Sequence, residues 1–244
     1  MKRSTTILLA LLAMLSCTRE SLPLTTNSIE VGLSQAGTKT SLEGSKIYWS
    51  NGDRISANGV ESEALSDVPA QCASAKFALG QDVSYPISIL YPSAFYKDAQ
   101  TITLPSLQSR AEGTFATGTF PCAGILSSEG ENVTLKNLCA LVKVQVTSSH
   151  NHPIKGVILT GGAGEQVCGD FTVDYSACTL TPEGGSSQLK LSTGLLSPGD
   201  TPADLYFVVP AGSYSGLSFR IIDTQNHYMD VSKKSGIALA AGTM

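Results

Sequence analysis

The chain has 244 residues, of which 16 are Lys or Arg and 20 are Asp or Glu, so its formal net charge at pH 7 is -4. A chain of this length can form one large or two small domains, and 42% hydrophobic residues are enough to build a core. The acidic balance excludes a nucleic-acid-binding protein that works by neutralising phosphates, and 15% charged residues are too few for a disordered polyelectrolyte.

The first seventeen residues have the pattern of a bacterial lipoprotein signal. Lys2 and Arg3 precede an apolar run over residues 7–15, which is shorter than the roughly 20 residues that span a bilayer. Ser16-Cys17 follows, as in a lipobox. We therefore expect a signal peptide over residues 1–16, lipidation of Cys17 and anchoring in the outer membrane, with the body at the cell surface or, alternatively, in the periplasm. An ordinary secretory signal with an incidental cysteine is the competing interpretation.

The rest of the chain has the patterns of strands. Residues 17–27 lack periodicity and are predicted to be a tether. Beyond them, alternating and β-branched runs predict strands, and no window has the apolar period of a helix. Besides a hairpin turning at Asn51-Gly52, the predicted strands are 75–79, 85–90, 101–104, 140–147, 154–160, 171–175, 188–191, 205–209, 217–222 and 228–231. Strands joined by turn residues without helices favour antiparallel β-sandwiches.

A weak internal repeat suggests two such units. Residues 89–96 (ILYPSAFY) and 207–214 (FVVPAGSY) each run from an apolar strand through Pro to a Tyr. That tyrosine is expected to cover a sandwich edge while its hydroxyl bonds to the backbone. The repeat favours an N-terminal domain over residues 28–130 and a C-terminal domain over residues 131–244, with a single sandwich as the alternative.

Six short motifs occur in an order that resembles a known family. They are TKTSL at 38–42, KIYWSNGDRI at 46–55, YP at 91–92, ITLP at 102–105, LKNLCAL at 135–141 and VPAGSY at 209–214. The chain resembles the fimbrillin-like surface lipoproteins of Bacteroides and its relatives. The resemblance implies an all-β protein with two tandem transthyretin-like antiparallel β-sandwich domains. In the pilin members it also implies donor-strand exchange, in which a strand of one subunit completes the open sheet of the next.

The chain departs from the polymerising members in two ways. A trypsin-like protease cuts those members after an Arg in the first strand region, but no Arg lies between Arg19 and Arg54 here. Residues 237–244 form a short apolar end without a clear extra tail to donate, although that end could itself be a donor. A tip, anchor or non-assembling role is therefore at least as well supported as stalk polymerisation.

The expected function is that of a non-enzymatic, lipid-anchored cell-surface adhesion protein, acting as a fimbrial subunit or as an accessory or tip-like component. Its expected partners are the outer membrane through lipid on Cys17, other fimbrial subunits through strand exchange, and host or microbial surface glycans or proteins. A carbohydrate-binding surface lipoprotein is the alternative function.

Motifs for catalysis and metal binding are sparse. His150 and His152 could share one side of a strand, but no third ligand is close in sequence, so a solvated loop is expected. His227 is explained in the same way by a hairpin tip. The glycine cluster at 161–165 lacks the third glycine and the helix of a dinucleotide loop. We predict no catalytic residues, no metal site and no cofactor; paired carboxylates are a spatial feature that sequence does not reveal.

Four further residues are candidates for a site. An exposed Tyr48 or Trp49 could stack on a sugar ring, whereas a core position is the alternative for Trp49. Cys168 and Cys178 flank a predicted strand and turn, and they could form a disulfide if their Cα atoms approach within about 7 Å. Cys139, in an apolar run, is expected to be a buried hydrophobic side chain.

Overall fold

The structure is a computed structural model that describes residues 24–34, 48–148, 152–199 and 201–244. Within these ranges the chain is all-β, as predicted, with one 3-10 turn at Ser93–Phe95 and no α-helix. The signal peptide, Cys17 and His150 lie outside the described residues.

The strands are β1 (Thr25–Leu33), β2 (Ser56–Ala57), β3 (Val60–Glu61), β4 (Ser74–Ser84), β5 (Ile87–Tyr91), β6 (Thr101–Leu104), β7 (Leu107–Ala111), β8 (Thr114–Phe115), β9 (Cys122–Leu126), β10 (Val133–Asn137), β11 (Cys139–Val146), β12 (Ile154–Gly161), β13 (Cys168–Asp174), β14 (Thr179–Ser186), β15 (Gln188–Leu196), β16 (Ala203–Pro210), β17 (Gly212–Tyr214), β18 (Leu217–Asp223), β19 (Tyr228–Lys233) and β20 (Ile237–Leu239).

These strands form two large sheets and three small ones. The first large sheet has the order β3-β2-β5-β9-β10-β1-β4, and the second has the order β19-β18-β12-β15-β7-β8. A three-stranded sheet, β14-β13-β6, and the pairs β11-β16 and β17-β20 complete the described fold. Most neighbours are antiparallel, as predicted, but β1 pairs with β10, and β15 with β7, in parallel.

Two hydrophobic cores stabilise this arrangement. The first joins the seven-stranded sheet to β6 and β13 and includes Phe77 and Phe171. The second lies between the six-stranded sheet and β11-β16 and includes Leu159 and Phe207. Apolar residues alternate with polar ones because successive side chains of a strand point to opposite faces, so one face of each sheet is buried.

Strand pairing crosses the domain boundary predicted at residue 130. β10 follows the boundary but pairs with β9 and β1 in the first large sheet. In contrast, β6 and β7 precede the boundary but pair with β13 and β15. The turn-rich residues 127–132 therefore join two adjacent strands of one sheet. The division into two domains stays a prediction, and the exchanged strands connect the two cores.

The tether prediction was wrong at its C-terminal end. Thr25 and Thr26, assigned to the tether, are the first residues of β1 and pair with Ser84 and Val83 of β4. These polar residues have little strand signal of their own, so their conformation depends on the partner strand.

The hairpin prediction at Asn51-Gly52 was also wrong. The turn itself forms, with Gly52 at a φ of 91°. However, no strand follows it directly, and Trp49 forms a bridge with Cys72 instead. The Asp53 carboxylate accepts a hydrogen bond from the Ser50 N–H at 2.7 Å, which holds the chain in a turn rather than in a ladder.

Candidate functional site

The apolar face of the six-stranded sheet extends beyond the sheet that covers it. Two rows of directly paired residues cross the sheet on this face, Val231–Phe219–Leu159–Leu189 and Met229–Ile221–Val157–Leu191. Burial falls along both rows: Leu159 and Val157 are fully buried, whereas Met229 is 56% and Val231 49% exposed. The outermost strand, β19, therefore presents apolar side chains without a covering layer.

The covering layer ends at β11, whose outer edge is occupied at one end and open at the other. On this edge the Leu141 N–H donates to the carbonyl of Thr243, and the Gly242 N–H donates to the carbonyl of Cys139, both at 2.8 Å. Because every second residue of a strand directs its N–H and C=O to the same edge, the backbone of Lys143 and Gln145 points this way too. No described strand pairs with this part of the outer edge, because β16, with Tyr206 opposite Lys143 and Asp204 opposite Gln145, occupies the other edge of β11.

Together these features form a groove, called here the apolar slot, between β11 and the β18-β19 hairpin. A cavity of about 180 Å³ opens between Val144 and Val146 on one side and Phe219, Met229 and Val231 on the other. At its end near Thr147 the slot continues into a larger cavity of about 510 Å³. An apolar groove beside an unpaired strand edge can accept an extended segment of polypeptide.

Two histidines distant in sequence meet in the larger cavity. The rings of His152 and His227 lie 6.1 Å apart between centroids, and His227 Nδ1 lies 2.9 Å from Asp223 Oδ2. They meet because β12 pairs with β18, with Ile154 opposite Asp223. Over the described ranges, no group of three or more His, Cys, Asp or Glu side chains is placed to hold a metal ion.

Trp49, predicted as a candidate glycan contact, is buried instead. Its side chain is 2% exposed, and its indole N–H donates to the Val31 carbonyl at 3.0 Å. It makes edge-to-face contacts with Phe77 and Tyr91 at centroid distances of 4.8 and 5.0 Å. A ring enclosed in this way cannot stack on a sugar, so the glycan prediction for Trp49 was wrong. Tyr48 next to it is half-buried.

A buried polar pair lies beside this aromatic cluster. The Tyr91 hydroxyl donates to Asp53 Oδ1 at 2.9 Å. Burial raises the pKa of Asp53 from its usual value, against the lowering effect of the hydrogen bonds from Ser50 and Tyr91. Burial and the nearby carboxylate raise the pKa of Tyr91 well above its usual range. The pair satisfies polar groups inside the core, which is a structural role.

The predicted Cys168–Cys178 disulfide is not formed. Both residues are free thiols, and they belong to different cores. Cys168 begins β13 and Cys178 follows its end, and a strand rises about 3.3 Å per residue, so the two lie roughly 20 Å apart along the strand. That separation is too large for a disulfide. Cys139 is buried, as predicted.

The glycine cluster at 161–165 forms a turn that packs closely against a neighbouring loop. A Cβ on Gly162 would come within 2.8 Å of the Gly216 nitrogen, so only glycine fits there. The Glu165 carboxylate accepts hydrogen bonds from the N–H groups of Ala163 at 2.7 Å and Ser215 at 2.5 Å. The bonds from Ser215 in particular lower the pKa of Glu165 to about 2.

The predicted corner tyrosine of the second repeat is confirmed. The Tyr214 hydroxyl is buried and donates to the Pro210 carbonyl at 2.8 Å. This bond closes the turn between β16 and β17.

The apolar slot is the part of the candidate site that the sequence did not reveal. Its residues come from β11 and from the β18-β19 hairpin, which are far apart in the chain. Alternation shows that a side chain faces inward but not whether another layer covers it. The only part of the sequence that indicated the slot is the run at 228–231, which is predicted to be a strand. In the structure, both of its inward residues, Met229 and Val231, are exposed.

Comparison with known proteins gives matches at the level of structure alone. No protein-family model matches the chain, and no curated protein sequence matches it either. A candidate cell adhesion protein of Bacteroides ovatus aligns with a TM-score of 0.49 and 8% identity, covering 88% of this chain and 87% of that one. A candidate cell adhesion protein of Parabacteroides distasonis aligns with a TM-score of 0.40 and 10% identity, covering 84% of this chain and 78% of that one.

A third solved structure is the tip fimbrial protein Mfa3 of Porphyromonas gingivalis with a C-terminal truncation. It aligns with a TM-score of 0.35 and 10% identity, covering 84% of this chain and 81% of that one. Scores and identities this low do not transfer a function, so the function is inferred from the chain's own geometry. Among the described residues, no helix is long and apolar enough to cross a membrane.

Proposed function

We propose that the chain is a non-enzymatic, lipid-anchored adhesion protein of the bacterial cell surface, acting as a fimbrial subunit or accessory, whose apolar slot accepts a strand from another polypeptide. The observation that supports this proposal is the part of the β11 edge at Lys143 and Gln145 that no described strand pairs with, next to the uncovered Met229 and Val231. A donated strand would satisfy the outward backbone groups of Lys143 and Gln145 and bury the apolar side chains of the slot.

The energy of such an insertion would come from two sources. Each apolar side chain removed from water contributes about 25 cal/mol per Å² of buried surface. Each new main-chain hydrogen bond adds about 1 kcal/mol net.

The side chains of Lys143 and Gln145 point away from the slot. Both bond to Asp204 on the outer face, with Lys143 Nζ 2.7 Å and Gln145 Nε2 2.9 Å from its carboxylate oxygens. Their side chains therefore do not occupy the slot.

The test is assembly of the mature chain, made with Cys17→Ser so that lipid does not interfere, and run unboiled on a denaturing gel. We expect a ladder from this chain. Met229→Lys together with Val231→Lys should abolish it, because two charges would enter an apolar groove. Ile125→Lys, which alters an exposed apolar residue of β9 outside the slot, is the matched control and should keep the ladder.

A second variant tests the strand edge itself. Gln145→Pro removes one outward N–H from an edge where proline is tolerated, so it should weaken assembly while far-UV circular dichroism stays unchanged. If the Cys17→Ser chain remains a monomer under every condition of proteolytic trimming, the subunit form of the proposal is wrong.

Anchoring is tested separately by metabolic labelling with palmitate. The wild-type chain should incorporate the label and fractionate with the outer membrane, and Cys17→Ala should do neither. A labelled Cys17→Ala chain would contradict the assignment of Cys17 as the lipidated residue.

A further inference from the structure

The outer face of the six-stranded sheet holds a second depression, of about 340 Å³, on the side opposite the apolar slot. It is called here the basic pocket. Its floor includes Gly156, whose lack of a side chain leaves room, with Ile158 and Ile222 half-buried beside it. Its walls are formed by Lys155, Lys190, Arg220, Asn226 and Tyr228.

Strand register explains why three cations surround this depression. Ile158 of β12 is directly opposite Lys190 of β15 on one side and Arg220 of β18 on the other. Directly paired residues project from the same face of a sheet, so both basic side chains flank Ile158. Lys155 joins them because the ladders of β12 are irregular between Ile154 and Gly156.

Two of the three basic groups, Arg220 and Lys155, are held in place before any ligand binds. The Arg220 guanidinium donates two hydrogen bonds of 2.8 Å to the Asp230 carboxylate and lies 4.4 Å from the centroid of the Tyr228 ring. A guanidinium has five N–H donors, so three remain for a ligand. The Lys155 ammonium donates to the side-chain carbonyl of Asn226. Donors positioned in advance lose less entropy on binding.

Positive charge is unbalanced at this place. Asp230 balances Arg220, but the ion pairs of the described residues include neither Lys155 nor Lys190. The chain as a whole has a net charge of -4, so a local excess of cations stands against the overall balance. Such a concentration of positive potential in a depression attracts anionic ligands.

We propose that the basic pocket binds a sugar residue that carries a carboxylate or sulfate group. The anionic group would contact Lys155, Lys190 and the free N–H groups of Arg220. The apolar face of the sugar ring would lie on Ile222 and beside Tyr228, which is 63% exposed. Basic residues that bind a flat membrane surface project outward from the protein, whereas the basic residues here surround a depression. This inference goes beyond the proposed function, because it requires neither a donated strand nor a lipid anchor.

The test compares two double variants that remove the same charge. Lys155→Gln with Lys190→Gln alters the basic pocket, and Lys76→Gln with Lys136→Gln alters two exposed lysines of the seven-stranded sheet. Binding is measured by isothermal titration calorimetry with a heparin oligosaccharide, which carries sulfates, and with an oligogalacturonate, which carries carboxylates only. Neutral dextran and phosphatidylglycerol vesicles are the comparison probes.

We expect the wild-type chain to bind at least one acidic oligosaccharide and not dextran. The pocket variant should bind about tenfold or more weakly, because charge-assisted hydrogen bonds are lost, and the control variant should bind as the wild type does. The affinity should also fall with added salt. Binding of the heparin oligosaccharide alone would identify sulfate as the recognised group, whereas binding of the oligogalacturonate would show that a carboxylate is sufficient.

Three results would overturn the proposal. They are the absence of binding to both acidic oligosaccharides, an equal loss in the two double variants, and binding that is restricted to the vesicles. The slot variant Met229→Lys with Val231→Lys leaves these basic side chains unchanged and is expected to bind the oligosaccharide normally. Failure of strand acceptance and failure of glycan binding are therefore distinguishable.

Discussion

Trp49 offers the sharpest test of the first core, because it is the only tryptophan of the chain and is almost completely buried. Trp49→Phe removes the hydrogen bond to Val31, which is worth about 1 kcal/mol. It also leaves a space of roughly 40 Å³, which at about 24 cal/mol per Å³ costs about another 1 kcal/mol. We therefore expect the free energy of unfolding to fall by about 2 kcal/mol. Trp49→Ala, which removes the whole ring and the hydrogen bond, should cost about 4–6 kcal/mol.

The assay is urea unfolding followed by far-UV circular dichroism, since the variants lack the fluorescent residue. In the wild type, the fluorescence of Trp49 should be blue-shifted and protected from iodide quenching. Tyr48→Ala is the matched control, because its half-buried side chain is the adjacent aromatic residue, and it should cost less than about 1 kcal/mol. A loss below about 1 kcal/mol for Trp49→Ala would refute the buried position and restore Trp49 as a candidate glycan contact.

Three further predictions concern buried or ionised groups. Asp53→Ala should lower the free energy of unfolding by about 1–3 kcal/mol in urea titrations, because the buried Tyr91 hydroxyl loses its acceptor, while Asp53→Asn should cost less. An unchanged or higher free energy of unfolding in Asp53→Ala would contradict this structural role of Asp53. Glu165 has a folded-state pKa of about 2, below the usual glutamate value of 4.5, so its stabilising contribution is present above pH 4.5 and lost as the pH falls towards 2. The melting temperatures of wild type and Glu165→Gln should therefore differ near neutral pH and converge near pH 2; a constant difference would contradict the hydrogen bonds from Ser215 and its neighbours. In a Cys17→Ser chain, iodoacetamide should modify Cys72 before the four buried thiols, as followed by mass spectrometry, and simultaneous labelling would contradict their burial.

Ten of the twenty described strands overlap the ten strands predicted from local patterns, and two of the others, β1 and β14, show why such patterns fail. The strand at 101–104 was predicted with its observed bounds, because Thr-Ile-Thr-Leu alternates clearly. β14 was missed because Pro182, Gly184 and Gly185 are typical of turns. It is an edge strand of its sheet, where proline is tolerated. β1 was assigned in part to a tether because its polar start is ordered by β4.

The candidate sites could not be predicted because they depend on which strands are neighbours. Met229 has the same apolar character as a core residue, and only the end of the β11-β16 layer leaves it exposed. Likewise, Lys190 and Arg220 are 30 positions apart and become neighbours of Ile158 through two separate ladders. Residue patterns report the face of a strand, whereas sites of this kind need the order and register of the sheets.

The position of β1 has a mechanical consequence. β1 lies inside the seven-stranded sheet, antiparallel to β4 and parallel to β10, rather than at its edge. If the chain is held at a surface through the residues before Leu24, tension along the strand axis loads the hydrogen bonds to both neighbours in shear. Bonds loaded together share the force, whereas bonds at a peeled edge break one after another. A protein tethered in this way would resist detachment under flow through the placement of its first strand.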